Sequence, residues 1–256
     1  MNSIDLNADL GEGFGTWRLG DDDALLDVVT SANVACGFHA GDPSTMHRVC
    51  ESAVARGVAI GAQVGYRDLA GFGRRRIDYD RDELRDDILY QIGALEAFCR
   101  VAGDRVRYVK PHGALYNTAA VDEGQASAVV AAVVAYDARL PVLCQPGSVL
   151  AAAASEAGLV VVGEGFADRG YLPDGRLVPR SRPDALVHEP AAVVERAVRM
   201  AVGGEVVATD GAVIACPVRS ICLHGDTPGA VDLARVVRAG LEARLTVQPF
   251  TVAQPD

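Results

Sequence analysis

Short apolar runs alternate with longer amphipathic segments along the whole chain. Runs of this length, bounded by turn residues, are typical of buried strands. They lie at residues 4–7, 32–36, 59–63, 108–110, 142–145, 160–164 and 221–224, with a further candidate at 245–247.

Capping residues mark where helices begin between these runs. Asp42 followed by Pro43 predicts one helix start, because an acid caps the first turn and proline suits its first position. Asp80 and Glu83 have the spacing of a capping box. Thr227 and the residue after it would begin a third helix.

The alternation of strands and helices predicts α/β architecture. Strands joined through helices pair in parallel by right-handed crossovers. Seven or eight such units in 256 residues favour a β/α barrel over an open doubly wound sheet. We expect residues 1–256 to form this barrel as a single domain.

Three segments interrupt the pattern. Residues 64–79 and 165–183 are long polar loops, and both follow predicted strands, at the end where barrel enzymes carry their working loops. Residues 205–215 have the pattern of a β-hairpin that turns at Asp210 and Gly211.

Ionisable and polar residues stand at the carboxyl end of nearly every predicted strand. In a barrel these ends meet at one rim, where the active site is built. The opposite ends carry no comparable set. The residues concerned are Asn7, Asp9, Glu12, His39, Asp42, Gln63, Lys110, His112, Gln145, Glu164, Arg169, His224 and Asp226.

Some of these residues have a structural interpretation. Asp42 and Asp226 precede helix starts, so we expect helix caps there rather than catalysts. His47 and His188 lie in or next to predicted helices, and we expect them at the surface. One histidine at a strand end could be a structural hydrogen-bonding group, but three beside Lys110 favour a functional site.

Metal and nucleotide motifs are weak. Asp9, His39 and His112 could in principle bind a metal, but no H-x-x-x-H or H-E-x-x-H pair supports this, so we expect none. The glycines at positions 11, 13 and 15 match neither the dinucleotide fingerprint nor the P-loop.

Composition excludes several classes of protein. The formal net charge of −10 argues against nucleic-acid binding, although a local basic pocket remains compatible with it. The chain starts without an apolar leader and contains no apolar stretch of membrane-spanning length, so we expect a cytoplasmic protein. Its six scattered cysteines are expected to be buried, reduced thiols.

These residues and motifs together resemble the LamB/YcsF family over almost the whole chain. No single segment is specific, but the set is. The segments are DLNADLGEGFG (5–15), TSANVACGFHAGDP (30–43), GFGRR (71–75), YQIGAL (90–95), VKPHGALYN (109–117), FADRGYLPDGRLVPRS (166–181) and CLHGD (222–226).

The resemblance implies a seven-stranded, TIM-like barrel related to the glycoside hydrolase/deacetylase superfamily. It also implies ATP-dependent opening of the lactam of 5-oxoproline to L-glutamate, together with partner subunits B and C. One position departs from the family pattern: Gln63 stands where many members have a histidine. Glutamine can hydrogen-bond but cannot take up a proton near neutral pH.

This chemistry suggests roles for the cationic and imidazole groups. Phosphorylation of the lactam carbonyl oxygen by ATP with Mg²⁺ would make the ring open to attack by water. We expect Lys110 to stabilise the phosphate or developing oxyanion, and Arg169, with Arg74 less directly, to hold an anion. His39 and His112 are the candidate base and acid, since imidazole titrates near pH ~6.5.

The remaining rim residues complete the expected site. Asp9 or Glu12 would orient a histidine or water, or hold Mg²⁺ beside ATP. Glu164 and His224 are further catalytic candidates. Asn7 and Gln63 are expected to contact the substrate.

Two other functions stay open at this stage. The chain could be a metal-dependent deacetylase-like hydrolase that works without ATP. It could also be a non-catalytic subunit that binds substrate while its partners complete the chemistry, because no P-loop shows that this chain holds ATP.

Overall fold

A computed structural model of the protein describes residues 3–223 and 229–251. Ten strands are present among them: β1 Ser3–Leu10, β2 Ser31–Ala35, β3 Ala59–Val64, β4 Tyr108–Pro111, β5 Val142–Cys144, β6 Val161–Phe166, β7 Glu205–Val207, β8 Val213–Ala215, β9 Ser220–Leu223 and β10 Thr246–Val247. The helices are α1 Asp22–Leu26, α2 Pro43–Ala55, α3 Arg81–Ala102, α4 Gly113–Ala119, α5 Glu123–Asp137, α6 Val149–Glu156, α7 Pro190–Val198 and α8 Ala230–Glu242, with a 3₁₀ turn at Leu69–Gly71 and a π turn at Arg199–Gly203.

Seven parallel strands close into a barrel, which confirms the predicted fold. Their order is β1-β2-β3-β4-β5-β6-β9, and β9 returns to pair with β1. The eighth candidate, β10, pairs with the first residues of β1 outside the ring. The predicted hairpin is β7 with β8. The assignment of residues 1–256 to one domain stays a prediction.

The predicted helix caps are correct where the structure describes them. The Asp42 carboxylate accepts a hydrogen bond from the Thr45 amide at 3.0 Å and begins α2. The Asp80 carboxylate accepts from the amides of Asp82 and Glu83 and begins α3. The predicted start at Thr227 lies outside the described residues.

Strand β1 is longer than predicted, and this changes the location of two candidates. Asn7 and Asp9 lie within the strand, and successive side chains of a strand alternate between its faces. Asp5, Asn7 and Asp9 therefore share one face, which their partners identify as the barrel interior.

A column of hydrogen bonds runs along this interior. At its lower end, the Asp5 carboxylate accepts hydrogen bonds from the hydroxyls of Thr30, Ser31 and Ser220. One level higher, the side-chain Nδ2 of Asn7 donates to the Ser220 hydroxyl at 2.6 Å. The side-chain Oδ1 of Asn7 accepts from Nδ2 of Asn33 at 2.6 Å. This part of the interior is thus polar, and hydrogen bonds link its successive levels.

The apolar core lies mainly between the barrel and its helices. Ile4, Leu6, Ala8 and Leu10, on the other face of β1, belong to it. A smaller cluster of Tyr108, Leu143, Val162 and Phe250 is separate from this core. The Tyr108 ring occupies the place that a side chain at Gly61 would take, and its hydroxyl donates to Asn33 at 2.7 Å.

Other expectations concern the surface and the cysteines. His47 and His188 are exposed, as predicted. All six cysteines are free and buried, which confirms the expected thiols. None of the helices within the described residues combines the length and the apolar composition that crossing a membrane requires.

Asp5 generates a prediction about stability and pH. Burial raises its pKa to about 6, although its three hydroxyl partners oppose this. A carboxyl with a raised pKa stabilises the fold below its unfolded value near ~4, and this contribution disappears as pH rises through the folded value. The Asp5→Asn variant cannot ionise. We therefore expect its free energy of unfolding to gain about 2 kcal/mol relative to wild type between pH 4 and 7.

Urea unfolding of both proteins at several pH values measures this difference. A constant difference across pH would mean that Asp5 titrates at its ordinary pKa.

Candidate functional site

Lys110 lies inside the barrel near the carboxyl ends of the strands, between two carboxylates. Its side chain is buried, and its Nζ lies 3.0 Å from Asp9 Oδ1 and 2.8 Å from Glu164 Oε1. It also donates to Asn7 Oδ1 at 3.4 Å and to Cys222 Sγ at 3.2 Å. Strands β1, β4, β6 and β9 each contribute one or more of these groups, so the barrel itself positions the cation.

Lys110 and Glu164 shift each other's pKa values in favour of the ionised forms. Burial alone would lower the pKa of Lys110, but Asp9, Cys222 and Glu164 together raise it well above its usual value. Burial raises the pKa of Glu164, and Lys110 opposes this shift. Lys110 is therefore a permanent cation, while Glu164 holds its proton more tightly than an exposed glutamate.

Two histidines at the neighbouring strand ends stack on each other. The ring centroids of His39 and His112 are 3.9 Å apart, and the planes differ by 13°. His39 Nε2 lies 3.1 Å from Gln63 Oε1. With the amide oxygen as acceptor, Nε2 carries the proton and Nδ1 keeps the lone pair. Glu12 Oε1 is 3.7 Å from His112 Nε2.

Both histidines are neutral at physiological pH. Burial lowers the pKa of His39 to about 4, although the hydrogen bond to Gln63 and the charge of Asp9 oppose this. Burial, and then the neighbouring His39, lower the pKa of His112 well below its usual value. A neutral imidazole can accept a proton, so either ring has the protonation state of a base.

The stacked geometry bears on metal binding. Ligand atoms of Glu12, His39 and His112 come within 4.8 Å of one another, close enough in distance to hold an ion. However, an imidazole offers its lone pair in the ring plane. Two parallel stacked rings therefore direct their lone pairs side by side rather than at one ion. The expected absence of a metal stays a prediction.

A cavity of about 480 Å³ opens beside Lys110 and His112. Its walls combine apolar side chains, such as Phe166 and Leu172, with a set of cations; among the lining residues that the structure describes, Asp9 is the one carboxylate. These cations are Arg74, Arg76, Lys110, Arg169, Arg176 and Arg180. An acidic protein thus carries a basic pocket, which is suited to an anionic ligand.

Arg169 lines this cavity but also holds its own loop together. Its Nε donates to the carbonyl of Ala185 at 3.1 Å, and its Nη2 donates to that of Val178 at 2.7 Å. Burial and the neighbouring Arg180 lower its pKa to about 10, so it stays charged at neutral pH. Much of its hydrogen-bonding capacity is used by the protein.

The structure separates the predicted residues into groups. Asn7, Asp9, Lys110 and Glu164 form the charged cluster, whereas Glu12, His39, Gln63 and His112 form the histidine cluster beside it. Asp9, Lys110, His112, Arg74 and Arg169 line the cavity. Gln145 lines it too, and Asp42 is a helix cap. His224 and Asp226 lie outside the described residues.

Sequence reasoning missed several groups of the Lys110 cluster and of the cavity. Asn33 donates to Asp9 at 2.9 Å, and Cys222 accepts from Lys110. Arg176 and Arg180 bring further positive charge from the 165–183 loop. The alternation of Asp5, Asn7 and Asp9 with apolar residues was a signal for the polar interior, but no sequence pattern marks the loop arginines.

The protein is thus a closed β/α barrel with a buried lysine, stacked histidines and a basic cavity at one rim, which is where barrel enzymes carry their active sites. Comparison with known proteins is more specific. The LamB/YcsF family pattern matches residues 4–254, and the chain belongs to this family.

Two relatives match nearly the whole chain. It is 60% identical over 252 residues, 98% of this chain and all of the relative, to a protein of Mycolicibacterium gilvum (strain PYR-GCK) that is named as the A subunit of 5-oxoprolinase. The crystal structure of a lactam utilization protein from Thermus thermophilus matches with a TM-score of 0.92 and 44% identity, over 97% of this chain and all of that one.

A more distant match concerns the fold alone. A family 4 carbohydrate esterase from Streptomyces lividans aligns with a TM-score of 0.50 at 11% identity, over 97% of this chain and 92% of that one. This match shows that the two chains share the barrel fold.

Lys110 generates a prediction about stability. Lys110→Met removes the cation and leaves Asp9 and Glu164 buried without it. A buried charge without its partner lowers the free energy of unfolding by about 3–5 kcal/mol. Protonation of the carboxylates removes this charge and therefore reduces the loss. We expect a loss of this size in unfolding free energy at pH 7.5 and a smaller loss at pH 5. Equal losses at both pH values would contradict the ion-pair assignment.

Proposed function

We propose that this chain is the component of a 5-oxoprolinase that takes part in ATP-dependent opening of 5-oxoproline to L-glutamate in the cytoplasm. The observation that carries the proposal is the cation-lined cavity next to Lys110 and His112 in a protein of net charge −10. The names of its relatives, which refer to 5-oxoprolinase and to lactam utilization, point to the same substrate class.

The reaction explains the need for cations. A five-membered lactam is an unactivated amide, and transfer of the γ-phosphoryl group of ATP to its carbonyl oxygen makes the carbonyl carbon electrophilic. Water adds to that carbon, and the C–N bond breaks as the nitrogen takes a proton. The γ-carboxyl then carries the phosphate, and a second water releases glutamate and phosphate beside ADP.

The cavity residues suit the charges of this sequence. Lys110 stabilises the oxygen that gains negative charge, because a fixed cation in a dry site is worth more than in water. Arg74 and Arg180 bind phosphate oxygens or the substrate carboxylate. Asp9 lies at the cavity wall and would bind Mg²⁺ that accompanies ATP.

His112 is the better placed of the two candidate bases. It lines the cavity, whereas His39 is fully buried behind it. His112 accepts a proton from the attacking water, and Glu12 stabilises the imidazolium that forms. His39 and Gln63 act through His112 by fixing the ring from behind.

The partner subunits complete the proposal. Relatives of this chain are named as the A component of a multi-subunit enzyme, and we infer that it works with subunits B and C, which share the binding of ATP. The sequence contains no P-loop, and we propose that the cavity arginines supply the nucleotide contacts of this chain.

The proposal is tested by measuring glutamate release from 5-oxoproline with and without ATP and Mg²⁺. The chain is assayed alone and then with subunits B and C, and Arg139→Leu serves as a control variant on the far side of the barrel. We expect glutamate only in the complete mixture with ATP. Assembly of all three subunits without ATP-dependent glutamate would contradict the proposal.

The lowered histidine pKa predicts the pH dependence of the reaction. A base with a lowered pKa stays unprotonated, and therefore active, as pH falls past the ordinary imidazole value of ~6.5. We expect the acid limb of kcat/KM to lie well below the ordinary imidazole pKa, and His112→Asn to reduce kcat by about 100-fold or more. An acid limb centred near pH 6.5 would contradict the role of a buried His112.

A further inference from the structure

We propose that Asp68 and Arg75 are positioning residues, whose ion pair holds the 68–75 loop over the stacked histidines and directs Arg74 into the cavity. This proposal deepens the proposed function, and only its expected effect on turnover rests on that function. Whether the loop shields the histidines from water, and whether the cavity binds an anion, can be measured independently of it.

The pair fastens both ends of the loop. The Asp68 side chain is buried, and it accepts hydrogen bonds from the Gly71 amide at 3.0 Å and from Arg75 Nε at 3.0 Å and 3.2 Å. Its backbone carbonyl accepts from the Gly73 amide at 2.9 Å. The hydrogen bond from Arg75 is the main cause of a lowered Asp68 pKa, so the carboxylate stays charged.

The loop holds its backbone in a strained conformation. Phe72 has φ 55°, and it is the one residue other than glycine with a positive φ in the described part of the chain. Such a conformation costs of order 1–3 kcal/mol and persists only where surrounding contacts enforce it. The Asp68–Arg75 pair, on both sides of Phe72, provides that enforcement.

Gly73 brings the loop backbone directly onto the histidines. A Cβ at this position would lie 2.7 Å from His39 Cβ and 2.9 Å from His112 Nδ1. The Gly73 carbonyl accepts from the Ala114 amide at 2.8 Å, which ties the loop to the start of α4. The loop therefore closes one side of the histidine pair to water.

The same turn directs Arg74 towards the cavity. The guanidinium of Arg74 lies 4.8 Å from the centroid of the Phe72 ring, and the Phe72 ring in turn packs edge-on against His112 at 5.3 Å. Arg74 is exposed but lines the cavity. The Phe72 ring thus helps to direct Arg74 towards the cavity, and the Asp68–Arg75 pair holds Phe72 in its position.

Opening the loop would change the pKa of His112 in one direction only, upwards. The charged groups that face the pair are Asp9 and Glu12 from the β1 side, Lys110 from β4 and Arg74 from the loop. Readmitting water lessens the burial that keeps the rings neutral, and moving Arg74 away removes a repelling charge. Both changes raise the pKa of His112.

The test compares Arg75→Leu and Asp68→Asn with wild type, using the full chain. Arg139→Leu is the matched control. Arg139 forms a similar ion pair, with 2.8 Å between its Nη2 and Asp137 Oδ2, and this pair lies far from the rim. Histidine ring signals are followed by NMR from pH 5 to 8, after assignment by single His→Asn variants.

We expect the pKa of His112 to lie well below the ordinary imidazole value in wild type and in the control. In the two loop variants, the titration midpoint of at least one of the two buried rings should be higher than in wild type. Affinity for inorganic phosphate should fall about five- to tenfold in the loop variants, since Arg74 is no longer directed into the cavity. Arg75→Lys should restore part of the phosphate affinity.

In the assembled enzyme, the loop variants should lower kcat more than they raise KM. Unchanged histidine titration and unchanged phosphate affinity in Asp68→Asn would overturn the proposal, even if Arg75→Leu fails to fold. Altered titration and phosphate binding in a chain without glutamate-forming activity would instead support the loop assignment and contradict the proposed function.

Discussion

The ion cluster of Lys110 with Asp9 and Glu164 is the interaction on which the rest of the structure depends. A buried ammonium is tolerated only where carboxylates and hydrogen-bond acceptors surround it. Those partners come from strands distant in the chain, so the cluster can form only when the barrel is closed with the correct register. The same cluster holds the ammonium of Lys110 at one fixed position in the cavity wall.

Both strands and loops contribute functional side chains to the rim. The strands hold Lys110 and the histidines in a rigid frame, whereas two long loops bring arginines such as Arg74 and Arg180 to the cavity. Strand positions allow groups to be kept dry and their pKa values shifted, and loops allow charge to be added without disturbing the barrel. Recognition of an anion and chemistry on it are thereby carried by different elements.

Much of this architecture follows from the chain itself. Alternating strands and helices predict the barrel, and polar residues at strand ends predict which rim carries the site. The stacking of His39 on His112 and the Asp68–Arg75 pair could not be predicted, because they depend on how loops fold back through long-range contacts. The loop around Arg169 is similar: its order comes from hydrogen bonds to backbone groups that no side-chain pattern records.

The closing pair of strands has a consequence for synthesis. Strand β1 is made first, but its partner β9 ends at Leu223, so one edge of β1 has no neighbour until most of the chain has left the ribosome. Unpaired strand edges invite association with other chains. A nascent or truncated chain that stops before Ser220 therefore keeps two open edges, on β1 and β6, which only the last barrel strand can cover.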